Sequence, residues 1–425
     1  VELGSDIGVI LDIPTRYGAP RETVIEEVAE TLRRAREALG IERNGMLLVG
    51  PVQGGLYLDV VARAAQELAR MDFDLFAVGG PVQLMINYSY RDLVRLVMTA
   101  KMNLPPGKPL HLFGAGNPHM LALAVAMGVD TFDSASYALY ARDGRYMTPQ
   151  GVFRLDELGD LPCECPVCSK MSVEEFKELP AQEKVVRLAI HNLHVLRGEL
   201  RRIRNAIKEG RLWELMELRA RGHPALLRAL REYARFTVFV ERHHYVTKGP
   251  VSGLFFFDGV SRERPEVYRH FSRLRERYSL PPSKVQVLVV ETEARPASRF
   301  TWVADLVQRI SSDPELRGKV DIATISSAYG AVPGELENVY PLAQYETAID
   351  LDDPAVADQI ASDVLWYIVG LKGGEPTLIV YENRGLATAR KAWEKLRKRG
   401  IRVYLKKYST VEELIELIKL ILKIA

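Results

Sequence analysis

The sequence predicts an α/β protein of the (β/α)8 TIM-barrel type, followed by a second, smaller α/β domain. Three observations predict it. Through residues 1–135 short β-rich runs alternate with longer segments of helical period, which calls for parallel strands joined by right-handed helical crossovers. Almost every run ends in a polar or glycine-rich turn, and the loops at the C-terminal strand ends are where such a barrel builds its site. After the doublet Pro281-Pro282 the alternation starts again with new strands. An open Rossmann sheet would instead carry one glycine fingerprint opening its first helix.

The elements justify this in order. Strands are expected at 7–13, 46–52, 75–78, 110–113 and 131–132, with helices at 21–39, 58–71, 90–101 and 118–127. The turns after the strands carry Asp12, Gln53-Gly54-Gly55, Gly79-Gly80, Gly114-Ala115-Gly116 and Asp133-Ser134. Five strands stand where a closed barrel needs eight, so three further β/α units are expected ahead of Val1. Residues 172–240 read as helical, rich in Arg and Glu; a strand at 254–257 and a helix at 265–279 follow. The main boundary is expected near Leu280. Beyond it strands are expected at 285–290, 322–326, 377–381 and 402–405, with helices at 301–311, 354–370, 386–399 and 410–424. The organisation is then a barrel portion (1–160), a metal-binding and helical region (161–280) and a C-terminal α/β domain (281–425).

A chain of 425 residues, 47% hydrophobic and 26% charged, is long enough for about two or three ordinary domains with large cores. The net charge of +2 does not announce a nucleic-acid binder, so any such surface would be a local patch. No apolar run reaches the ~18 residues a membrane span needs, and no secretory signal opens the chain. A cytoplasmic protein is expected.

The strongest chemical signal is Cys163-Glu164-Cys165-Pro166-Val167-Cys168, which contains all three cysteines of the chain. An odd, tightly clustered set is a poor disulfide framework, and adjacent C-x-C pairing is strained. Three thiolates and an imidazole suit Zn²⁺, and four protein ligands make such a site structural. The alternative is three inert thiols. His191 and His194 lie three apart on one helix face, and spacing alone does not choose between them.

Asp133 sits at the end of the last barrel strand. A carboxylate there can attack a sugar anomeric carbon and form a covalent glycosyl-enzyme; taken alone, an Asp capping the next turn is the commoner use. Asp12 invites the same pair of readings, as an acceptor for a ligand's N–H edge or as a loop cap. Gln53 could offer amide hydrogen bonds to a base. Gly79-Gly80 could let backbone N–H groups approach a flat ligand. Each is weak singly, but four on successive strand ends are not. The helix around 196–211 carries Arg197, Arg201, Arg202, Arg204, Lys208 and Arg211. This reads as an RNA phosphate surface or, more commonly, as a solvated face balanced by Glu199 and Glu209.

Together these residues resemble the archaeal tRNA-guanine transglycosylases. The similarity covers residues 1 to about 280. Its most specific stretch runs from His111-Leu112-Phe113-Gly114-Ala115-Gly116, through Phe132-Asp133-Ser134-Ala135-Ser136-Tyr137, to the cysteine cluster and His191-Asn192. The resemblance implies a zinc-containing (β/α)8 barrel that inserts 7-cyano-7-deazaguanine (preQ0) in place of guanine 15 in the tRNA D-arm, on the way to archaeosine. It implies Asp133 as the nucleophile at ribose C1′, Asp12 as the carboxylate that reads the incoming base, and Gln53, Gly79 and Gly80 as further pocket positions. It implies His191 as the fourth zinc ligand. Partners implied are tRNA, the free base, a second copy through the zinc-bearing region, and a separate N-terminal or PUA-containing subunit.

The C-terminal domain resembles the α/β core of archaeosine synthase, on Ser327-Ala328-Tyr329-Gly330-Ala331-Val332-Pro333-Gly334-Glu335-Leu336-Glu337. The synthase's Pro-Cys…Lys-Pro-Tyr signature appears only as Val290-Glu291-Thr292-Glu293-Ala294-Arg295-Pro296-Ala297, without its cysteine, lysine or tyrosine. No synthase activity is expected, and the domain is expected to dock tRNA or a partner. Two other readings are a non-catalytic tRNA-binding or assembly subunit, and a zinc-bearing barrel hydrolase using Asp133 on a small sugar. The retained Asp133, Asp12 and Gln53 speak against the first, and the second α/β domain and the lack of a paired acid against the second.

Overall fold

In the computed structural model residues 4–243, 253–278, 283–291 and 300–424 are described. The chain divides into two compact units, Val1–Val246 and Thr247–Ala425. The expected boundary at Leu280 lies outside the described residues and falls inside the second unit.

The first unit opens with β1 (Ile7–Val9), α1 (Arg21–Leu39), β2 (Leu47–Val52), α2 (Leu58–Ala69), β3 (Leu75–Val78), α3 (Val82–Ile86), α4 (Tyr90–Asn103), β4 (Leu110–Leu112), α5 (Pro118–Ala126) and β5 (Thr131–Phe132). All four strand pairings are parallel, and the sheet runs in the consecutive order β1-β2-β3-β4-β5. That order belongs to a barrel wall, since a doubly wound sheet reverses direction part-way. The α/β half-barrel expected from the alternation is therefore present. β2 and β3 are buried almost throughout, as strands covered on both faces must be. β1 differs: Ile7 is 52% and Val9 48% exposed.

Beyond β5 come α6 (Ser136–Arg142) and a hairpin of β6 (Arg145–Thr148) with β7 (Gly151–Arg154), which periodicity did not reveal. Helices α7 (Val173–Glu178), α8 (Ala181–Lys208), α9 (Leu212–Ala220), α10 (Pro224–Tyr233) and α11 (Thr237–His243) complete the unit. A capping box at Ser172 and Glu175 starts α7, satisfying two of its free N–H groups. The helix expected throughout 172–240 is thus broken into five pieces by Pro180, Gly210, Pro224 and a 3₁₀ turn at Ala234–Phe236.

The second unit contains β8 (Leu254–Phe256), α12 (Pro265–Arg277), β9 (Val285–Val290), α13 (Thr301–Ser312), β10 (Val320–Ser326), β11 (Gly330–Pro333), β12 (Tyr345–Thr347), α14 (Pro354–Trp366), β13 (Thr377–Tyr381), α15 (Leu386–Lys398), β14 (Val403–Lys407) and α16 (Val411–Ile424). β8 pairs with β12, which ties residues before the expected boundary to residues well after it. The main sheet has the order β11-β10-β9-β13-β14, with β11 antiparallel. Alternate side chains of β9 feed two cores: Val285, Val287 and Val289 join α13 and α16, while Leu288 and Val290 join α14 and α15. A strand with covered faces on both sides reads as a continuous apolar run for this reason.

Candidate active site and metal centre

The C-terminal rim of the first sheet holds two hydrogen-bonded groups. The first gathers Asp12, Gln53, Gly79 and Gly80. Gln53 Nε2 donates to Asp12 Oδ2 at 2.6 Å, and Thr15 N donates to Gln53 Oε1 at 3.1 Å. Gln53 is 2% exposed, so its amide is spent inside the protein, orienting Asp12 and the loop around Thr15. Gly79 is where that amide fits: a Cβ there would lie 2.2 Å from Gln53 Nε2. Gly80 turns away with φ +71°, a left-handed conformation that favours glycine. The positions expected to line a base pocket, Gln53, Gly79 and Gly80, thus also have roles within the protein itself. Gln53 holds the carboxylate, and Gly79 makes room for Gln53.

The second group surrounds Asp133. Its Oδ1 accepts from Gly114 N at 2.8 Å and lies 3.1 Å from His111 Nε2. His111 Nδ1 in turn lies 2.9 Å from Thr131 Oγ1, because the β4–β5 register sets His111 opposite Thr131. Asp133 is 61% exposed, and Oδ2 takes no hydrogen bond from the described residues. One oxygen is anchored and the other is presented, the disposition a carboxylate nucleophile needs. Behind it Ser136 Oγ donates to Gly116 O at 2.9 Å and Ser134 Oγ to Ser136 Oγ at 2.8 Å. A Cβ on Gly116 would sit 1.8 Å from Ser134 Oγ, so only glycine admits this turn. His111 and Thr15 are the contacts that sequence reasoning did not assign; each becomes visible only through register or loop closure. No described hydrogen bond joins the Asp12 group to the Asp133 group.

The cysteine cluster forms a compact centre with His191, the ligand atoms of Cys163, Cys165, Cys168 and His191 all lying within 4.8 Å of one another. Cys165 Sγ and Cys168 Sγ are 3.5 Å apart, and His191 Nδ1 is 3.6 Å and 3.3 Å from them. A tetrahedral zinc with bonds of about 2.0–2.3 Å has ligand–ligand edges of roughly 3.5–3.8 Å, so the set fits a zinc-sized cation. His194, one turn on along the same face, is exposed and outside this set, which decides between the two histidines. His191 Nε2 donates to Met147 O at 2.9 Å, and Tyr146 stacks on the ring at 3.7 Å. That outer bond leaves Nδ1 free for a metal and fixes the ring. Asn192 holds the same hairpin, accepting from Met147 N at 2.9 Å and donating to Arg145 O and Tyr137 O.

Residues 1–225 match the family described as queuine tRNA-ribosyltransferase, and residues 267–371 match a domain of unknown function, DUF5591. Among curated relatives, the tRNA-guanine(15) transglycosylase of Pyrobaculum aerophilum is 41% identical over 348 residues, covering 81% of this chain and 68% of the relative. The protein of that name from Methanocaldococcus jannaschii is 42% identical over 352 residues, covering 81% of this chain and 51% of the relative. That from Sulfolobus acidocaldarius is 37% identical over 398 residues, covering 90% and 76%. The chain thus spans about half the length of some of these relatives and three quarters of others. A half-barrel rim with a presented carboxylate, a Cys₃His centre behind it and a match over its first 225 residues have one common explanation: the chain belongs to the queuine tRNA-ribosyltransferase family.

Proposed function

We propose that this chain carries the base-exchange chemistry of a tRNA-guanine(15) transglycosylase, with Asp133 as nucleophile. The observation that carries the reading is the carboxylate itself, anchored through Oδ1 by Gly114 N and His111 and open at Oδ2. Asp133 Oδ2 attacks ribose C1′ of guanosine 15. The C1′–N9 bond breaks, its electron pair leaves with guanine, and an ester links the tRNA to Asp133. The preQ0 ring nitrogen then attacks C1′, loses its proton and returns the carboxylate. His111 keeps the Asp133 carboxylate turned toward the sugar, and Asp12, held by Gln53, accepts hydrogen bonds from the base's N–H edge. The Gly79-Gly80 turn sets that pocket's width.

Cys163, Cys165, Cys168 and His191 would hold Zn²⁺, which with four protein ligands supplies structure and no reacting position. Two partners are supported by exposed apolar side chains. Val186, Ile190 and Leu193 lie on the outward side of α8, where a second copy would pack. Ile7, Val9 and Leu11 stand at the β1 edge, where further β/α polypeptide would complete the base pocket. The second unit docks tRNA or such a partner. No described helix is long and apolar enough to cross a membrane, and a tRNA substrate places the reaction in the cytoplasm. The test is exchange of labelled guanine or preQ0 into tRNA, by this chain alone and with the N-terminal β/α polypeptide of a relative supplied. Exchange in either, together with a denaturation-resistant tRNA adduct that needs Asp133, supports the reading. Absence of both exchange and adduct in both preparations overturns it, leaving a tRNA-binding subunit.

A further inference from the structure

The outward side of α8 changes character half-way along. Arg197, Arg201, Arg204 and Lys208 recur at i, i+4, i+7 and i+11, which at about 100° per residue places them within a sector of roughly 60°. The buried residues Leu188, Val195, Glu199, Ile203 and Ala206 occupy the opposite side of the same helix. All four cations are exposed, and none has a hydrogen bond or ion pair with the described residues. Composition alone sets Glu199 against this run, but the fold removes it. Glu199 is fully buried, taking Arg219 Nε at 2.7 Å and Nη2 at 2.9 Å, with Arg202 at 3.4 Å. Glu209 lies beyond the helix end, about 80–140° round from the members of the stripe. What composition shows as a balanced helix is, in three dimensions, a row of four unneutralised cations.

We propose that Arg197, Arg201, Arg204 and Lys208 form a rail that grips the phosphodiester backbone of RNA without reading its sequence. Successive members are about 5–6 Å apart, the scale of neighbouring phosphates on a strand. Arginine forks suit phosphate oxygens bidentately. An acidic protein partner would want an apolar anchor within the patch, and no large apolar side chain between residues 194 and 217 is exposed. Beside the rail lies a cavity of about 720 Å³ lined by Gln150, Glu164, His194, Gly198 and Arg202, which leaves space for a ribose or base to turn inward. The choice of RNA rests on the transglycosylase reading above; the charge geometry does not.

The test measures binding of unmodified tRNA by the full chain across a series of KCl concentrations. It compares the parent with R197Q/R201Q/R204Q/K208Q. The expected result is a loss of at least tenfold in affinity at low salt. The slope of log K against log[KCl] should shrink by about 3, the release of four phosphate contacts at 0.7–0.9 each. The charge-preserving R197K/R201K/R204K variant should keep the parent slope. Should the quadruple variant not fold, R201Q and K208Q singly should each lower the slope by about 0.7–0.9. Unchanged affinity and slope overturn the proposal, as does a variant that loses binding to polyglutamate but not to tRNA. Base exchange is read in parallel: exchange with an unaltered slope sinks the rail alone, and a rail-dependent slope without exchange sinks the transglycosylase reading alone.

Discussion

Each unit of this protein ends a parallel strand in a carboxylate, β5 at the edge of its sheet and β9 at the centre of its own, and the two fates of that carboxylate differ. In the first unit Asp133 follows β5, keeps one oxygen free and is 61% exposed. In the second, Glu291 follows β9 and is 1% exposed, with Ser327 N donating to Oε1 at 2.5 Å and the Tyr345 hydroxyl to Oε2 at 2.6 Å. Burial pushes the Glu291 carboxyl above the usual carboxylate range, against those hydrogen bonds. Tyr345 reaches it because β12 pairs with β8 and closes over the strand end. The C-terminal end of a parallel strand therefore presents an exposed carboxylate in one unit and a buried internal contact in the other. Position at a C-terminal strand end is a licence for function; whether a neighbouring element covers it decides the outcome.

The largest effect that could break this contrast is at Asp133. D133N keeps the Gly114 and His111 contacts but removes the nucleophile, so exchange should fall at least about 10³-fold. The tRNA adduct should vanish from denaturing gels, and the thermal midpoint should stay within about 2 °C. A folded D133N that still forms the adduct would move the nucleophile elsewhere. Next comes the metal centre. C168A, or prolonged chelation, should abolish bound zinc and lower the unfolding midpoint of the first unit by about 10 °C or more. Tyr146 and His191 hold the hairpin to α8 through that centre. Metal analysis and calorimetry check both, and a metal-free chain of unchanged midpoint would make the cysteines inert.

A smaller effect is expected at Gly79. G79A drives a methyl into Gln53 and breaks its bonds to Asp12 and Thr15. Overpacking of this kind costs about 1–3 kcal/mol, and the KM for the free base should rise about tenfold or more with a smaller change in kcat. Equal loss in both would place Asp12 outside base recognition. Smallest of all is E291Q. An amide stands in for a protonated carboxyl, and the Tyr345 hydroxyl can turn to donate to Ser326 Oγ, 2.9 Å away. Stability should change by about 1 kcal/mol or less, whereas E291A strands the Ser327 N–H and should cost about 2–3 kcal/mol. Chemical denaturation distinguishes these, and a large effect of E291Q would mean that Glu291 is charged.

The barrel-type succession was legible because long amphipathic helices such as α1 have a period that survives in one dimension; its ends at Arg21 and Leu39 coincide with the expected ones. The β6–β7 hairpin was not legible. Its strands are four residues each, too short for alternation to register, and Asn192, some forty residues on, supplies part of their support. The division after Val246, which differs from the boundary expected near Leu280, is hidden from the sequence for a similar reason. Nothing local at Leu254 announces that its partner strand begins at Tyr345.

Residue type and spacing alone supply the ligand chemistry and the catalytic candidates: three cysteines in a metal spacing, and carboxylates or amides at successive strand ends. These are local facts of residue type and spacing, and short-range geometry is enough to read them. Packing between distant elements turned Gln53 inward onto Asp12, brought His111 beside Asp133, buried Glu199 away from the α8 cations and closed Glu291 off from solvent, and it seats among the cysteines the His191 that the resemblance already implied. Each of those depends on which element packs against which. Burial and register are properties of contacts between distant residues, and they decide whether a polar group meets solvent, a substrate or another part of the same chain.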